Sequence, residues 1–73
     1  MKMTFQEKIS KRQEANLALL GQFREYIEKY PQQRWGQILS NYGFIPGGDP
    51  FYEESVDTLR TVVNTRKKIE EQL

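Results

Sequence analysis

Arg34-Trp35-Gly36-Gln37-Ile38-Leu39-Ser40-Asn41-Tyr42-Gly43, set between Pro31 and the run Pro46-Gly47-Gly48-Asp49-Pro50, divides the chain into a long first half, a short centre and a long tail. Trp35, Ile38, Leu39 and Tyr42 recur at helical spacing, so the stretch reads as a short helix with one apolar face. Pro31 can stand in its first turn, where the missing N–H costs nothing. Gly43 is the natural left-handed stop, and Phe44 falls where a Schellman cap seats an apolar contact on Leu39. A second helix over 31–42 and a loop over 43–49 follow.

Upstream, Thr4 and Glu7 form a T-x-x-E capping box that starts a helix. Its apolar positions are Phe5, Ile9, Leu19 or Leu20, Phe23, Tyr26, Ile27 and Tyr30, and Pro31 disfavours helical geometry at Tyr30. The first half of this stripe is weak, because Arg12, Gln13 and Asn16 interrupt it. A helix over 4–30 is a rod of roughly 39 Å. Downstream, Asp49 and Pro50 read as an N-cap followed by proline at the first helical position. Val56, Leu59, Val62 or Val63, Ile69 and Leu73 continue the pattern, predicting a third helix over 50–72. Its start can instead be Ser55, with 50–54 as a separate turn.

The fold class is therefore all-α, a long–short–long arrangement of three helices in one domain spanning 1–73. Brief connections suggest that the first and third helices run antiparallel. The chain has 73 residues, no cysteine and no histidine, so neither a disulfide nor a zinc site reinforces its small core. Oligomerisation is the remaining reinforcement, and a homo-oligomer is expected. No apolar run reaches the ~18 residues that a membrane helix needs. The amino terminus carries no signal-like segment, so a cytoplasmic protein is expected.

The net charge of +1 is unevenly spread. Residues 1–24 hold five bases against two acids, 25–57 two against six, and 58–73 four against two. In an antiparallel pair, Lys8, Lys11 and Arg12 would join Arg66, Lys67 and Lys68 in one basic end. Glu25, Glu28, Asp49, Glu53, Glu54 and Asp57 would form the acidic end. The basic end offers phosphate or nucleic-acid contacts, although interspersed acids favour a solvated, internally paired surface.

Without His or Cys there is no ordinary serine or cysteine triad, no thiolate and no zinc-bound water. No phosphate-binding glycine motif is present. Glu53, Glu54 and Asp57 share spacing that suits a divalent cation, but acids at a helix start are read first as complements of its dipole. A non-enzymatic protein with no cofactor is expected. The contact candidates are Arg34, Trp35, Gln37, Asn41, Tyr42, Tyr52 and Glu53, because Trp, Tyr and Arg dominate binding hot spots. Among the aromatic and aliphatic residues here, Trp35, Ile38, Leu39 and Phe51 are expected to fill the core, with Arg34 paired to Asp49 or Glu53. Gln37, Asn41, Tyr42 and Tyr52 are the better surface candidates.

R-W-G-Q-I-L-S-N at 34–41, followed by D-P-F-Y-E-E-S at 49–55, resembles small uncharacterised open reading frames of bacteria, phages and mobile elements. Those carry R-[FW]-G-Q-[IL]-x-x-N and then D-P-F-Y-x-E. The similarity covers residues 31–55, about a third of the chain, and it brings no known activity. It implies a phage or mobile-element setting, in which small proteins inhibit or sequester host components, sometimes as counter-defence. Three expectations follow. The first is a protein-binding inhibitor, adaptor or regulator that contacts a host or phage protein. The second is an oligomeric sponge for a small anionic ligand such as a signalling nucleotide. The third is a nucleic-acid-binding accessory protein.

Overall fold

The computed structural model describes residues 4–45 and 51–72, and those residues form three α-helices and no strand. Helix α1 spans Phe5–Lys29, α2 Trp35–Asn41 and α3 Ser55–Glu71. The predicted Asp49–Pro50 cap lies outside the described residues.

Each helix end has a local cause. Thr4 accepts the Glu7 N–H through its side-chain oxygen at 3.1 Å, capping α1. Tyr30, ahead of Pro31, leaves helical geometry at φ −125° and ψ 69°. Helix α2 is shorter than expected, because Pro31–Gln33 form a turn closed by the Gln33 N–H on the Tyr30 carbonyl at 3.1 Å. Its first turn is then closed by the Gln37 side chain, which accepts the Arg34 backbone N–H at 2.7 Å. Gly43 takes φ +85° just past its end. Helix α3 starts at Ser55 rather than Pro50: residues 51–53 form a turn, and Thr58 donates its hydroxyl back to Glu53 at 2.8 Å.

The first and third helices pack side by side but run parallel, which corrects the antiparallel expectation. Arg12 meets Glu54 and Asn16 meets Ser55 at the amino ends, while Gln22 and Glu25 meet Arg66 further along. Advancing along α1 means advancing along α3. The charges explain the choice. Antiparallel helices would set bases against bases and acids against acids, whereas parallel ones pair the basic start of α1 with the acidic start of α3. The acidic tail of α1 likewise meets the basic tail of α3. The segment between Phe44 and Glu54 has only to descend roughly 16 Å of α1, and ten residues reach about twice that.

The core sits beside the carboxy-terminal half of α1. Phe23, Tyr26, Ile38, Tyr42 and Val62 are buried together, with Leu19, Tyr30, Leu39, Phe44 and Ile69 packed around them. Tyr26 and Tyr42 stack with centroids 4.0 Å apart and planes 9° off parallel. Phe44 meets Phe23 edge-on at 5.2 Å. Just past the end of α2, Gly43 lies so close to α3 that a Cβ there would be 2.9 Å from Thr61 Cγ2. Thr61 and Thr65 each donate their hydroxyl to their own helix, at Asp57 and Thr61 carbonyls. That leaves the Thr61 methyl to face the glycine.

Candidate functional site

The structure does not gather the expected contact residues into one site. Tyr42 is 7% exposed, stacked on Tyr26, and its hydroxyl donates to Gln33 Oε1 at 3.0 Å. It is a core residue. Gln37 caps α2, so its side chain is committed to the helix start. Asn41 and Arg34 are exposed. The Arg34–Asp49 pairing expected to fasten the loop lies outside the described residues, and Glu53 accepts from Thr58 rather than from Arg34.

Tyr52 and Phe51 are exposed beside Arg12, Glu53 and Glu54, around a concavity of about 410 Å³. The core role expected for Phe51 does not hold. This corner lies one long stretch of α1 away from Trp35, so Tyr52 and Trp35 do not form a joint stacking pocket within one chain. The three acids at the start of α3 are separately engaged: Glu53 with Thr58, Glu54 with Arg12, Asp57 with Arg60. The Arg12 guanidinium holds the Glu54 carboxyl below the usual range, and Glu54 in turn raises Arg12.

The single basic end is likewise absent, as a direct result of the parallel helices. Lys8, Lys11 and Arg12 flank Glu54 and Val56 at one end. Arg66 lies near the other end, bonded to Gln22, Glu25 and Glu70, and these acids raise its pKa. Lys67 and Lys68 follow it on the exposed side of α3. About 20 Å of helix separates the two groups.

What does assemble is an apolar face on α1 joined by Trp35. Leu17, Leu20 and Trp35 are 69%, 65% and 66% exposed, and Ile27 is 42% exposed. With Gly21 and Arg24 they border a concavity of about 470 Å³ floored by Phe23. Trp35 also borders a second hollow of about 330 Å³ with Asn16, Leu19, Leu39 and Phe44. Its ring lies edge-on to Phe23 at 4.5 Å, so it is fixed in place while most of its surface stays open. The core role expected for Trp35 is overturned, and Ile38 fills that place at 2% exposure.

This arrangement can grip another apolar surface, because a held aromatic loses little freedom on binding. The signal that pointed to Leu17 and Leu20 was in the run Leu17-Ala18-Leu19-Leu20. It is apolar all round, which is more than one core-facing stripe can use. No helix among the described residues is long and apolar enough to cross a membrane. Comparisons with protein-family models, with curated proteins and with solved structures gave no match to this chain.

Proposed function

We propose that this chain is a non-enzymatic binding protein that acts by contact with another protein, gripping it through the exposed face of Trp35. The observation that carries this reading is the anchored yet open Trp35 ring, bordered by Leu39 and Phe44 on one side and Leu17, Leu20 and Ile27 on the other. The largest contiguous apolar patch on a monomeric protein is often a functional one. An aromatic anchor at the centre of such a surface is the usual form of a binding hot spot. The resemblance of residues 34–41 and 49–55 to phage and mobile-element reading frames supplies the setting, an inhibitor, adaptor or regulator of a host or phage protein. In this reading the contact region expected from the sequence narrows to Trp35, and Tyr52 and Glu53 are peripheral to it.

Sequestration of a nucleotide gains less support, since Tyr42 is buried and Tyr52 lies at a different corner from Trp35. The test is native mass spectrometry of the chain purified from its own host, beside Trp35→Ser. The expected result is a second protein retained by the unaltered chain and lost from the variant, with helical circular dichroism unchanged. Retention of a nucleotide in place of a protein would replace this reading with sequestration. Equal retention by both chains would remove Trp35 from the contact.

A further inference from the structure

We infer that the outward face of α1, between Gln13 and Glu28, receives a second copy of this chain, the two α1 helices crossing antiparallel about a two-fold axis near Leu20. The inference uses the α1 side of the apolar face and leaves the Leu39–Phe44 side of Trp35 open.

Two observations point to a second copy rather than an unrelated partner, and a third consideration bears on whether the face is large enough. The first is Gly21, which sits in the middle of a long helix at a cost of about 1 kcal/mol relative to alanine. Among the described residues beyond its own helical turn, nothing lies within 4 Å of the place a Cβ would occupy, so packing among them does not require a glycine there. A notch beside exposed Leu20 suits the close approach of another helix. Leu17, Leu20 and Ile27 border the same concavity, so the notch and its filling occur on one surface, as a two-fold interface demands.

The second observation is charge. Arg24 lies in line with Leu17 and Leu20, exposed and, among the described residues, paired to neighbouring Glu28 at 3.1 Å. A parallel pair would stack Arg24 on Arg24. An antiparallel pair centred on Leu20 lays the Arg24 stem against Leu17 of the other copy. It also brings the guanidinium within roughly 3 Å, along the axis, of Glu14 on that copy. Gln13 then falls opposite Ile27.

The third is area. The face runs about 22 Å along the helix. Its apolar centre and polar borders together offer on the order of 500 Å² per copy, which places the pair near the lower edge of specific interfaces. Area alone does not set affinity, so association is sought over a wide range of concentration.

Sedimentation equilibrium of the full chain from about 1 to 500 μM tests this. The expected mass moves from 8.7 kDa towards twice that value as concentration rises. Leu20→Glu is expected to weaken association at least tenfold while leaving the helical spectrum unchanged. Orientation is read from single-cysteine variants, since the chain has no cysteine of its own. Mixed Gln13→Cys and Ile27→Cys are expected to cross-link to each other, and neither to itself. A chain that stays at 8.7 kDa throughout overturns the inference. So does a dimer insensitive to Leu20→Glu, or one in which Gln13→Cys links to itself. A monomer that still retains a second protein through Trp35 removes the dimer and leaves the proposed function standing.

Discussion

Arg12 and Glu54 meet as a two-point fork, Nε to Oε1 at 2.8 Å and Nη2 to Oε2 at 3.1 Å, joining the amino-terminal part of α1 to the residue that precedes α3. They are 42 positions apart in sequence, and the pair exists only because the helices run parallel. With Asn16–Ser55 beside it, this contact flanks the buried Ala15 and secures a stretch of α1 beyond the aromatic cluster. Both side chains are about half exposed, so the pair orients the helices more than it stabilises them.

Reversing the pair tests the orientation. Arg12→Glu and Glu54→Arg should each lower the thermal midpoint, because each leaves two like charges facing one another. The double variant should recover most of the loss. The coupling should shrink in 1 M salt, where the screening length falls to about 3 Å. Additive single losses with no recovery would show that the fork contributes nothing to the arrangement.

Acid should loosen the same corner. The Glu54 carboxyl titrates lower in the folded chain than its ordinary value of 4.5, held down by Arg12. A depressed carboxyl adds stability above its unfolded pKa and loses that stability as pH falls through the folded value. Urea midpoints should therefore hold from pH 7 to about 5 and then decline below about 4.5. Glu54→Gln should be less stable at neutral pH and show a shallower decline.

Gly43→Ala is expected to be the most damaging small substitution. A left-handed φ of +85° costs a non-glycine residue about 1–2 kcal/mol. The added methyl also meets Thr61 Cγ2 at 2.9 Å, with α3 backbone behind it at 3.6 Å. Together these predict a loss of about 2–3 kcal/mol in chemical denaturation. Gly43→Ala with Thr61→Ser should recover the steric part and leave the backbone part.

Tyr26→Phe should be neutral or stabilising, by up to about 1 kcal/mol. The Tyr26 ring is buried and stacked on Tyr42, but its hydroxyl has no hydrogen-bond partner among the described residues. Removing an unpaired buried donor relieves its desolvation without touching the stack. A loss above 1 kcal/mol would mean that the hydroxyl is bonded in solution.

High pH offers an independent measure of the same burial. Burial pushes the Tyr26 phenol above its ordinary value of 10.0, with nearby Arg66 opposing the shift. A raised phenol pKa stabilises the fold below the unfolded value and ceases to do so as pH climbs through the folded one. Helical signal should therefore fall above pH ~10, with phenolate absorbance rising in step. Tyr26→Phe should postpone that loss.

The helices were legible in the sequence because their causes are local. Thr4 against Glu7, Pro31 after Tyr30 and Gly43 after Tyr42 each act within a turn or so of chain, and all three appear at the ends of α1 and α2. The direction of α3 was not legible from loop length, since the chain between Phe44 and Glu54 can reach either end. The information lay in the charge blocks, which pair only when the helices run parallel. The exchange of roles between Trp35 and Tyr42 has a similar origin. Seven positions apart, they share one face of α2, so periodicity assigns them the same environment. Gly43, just past that helix, lies against Thr61, with Tyr42 seated on Tyr26 beside it and Trp35 projecting from the other end. Local backbone chemistry set where each helix begins and ends. Contacts between residues distant in sequence decided which of their faces are covered.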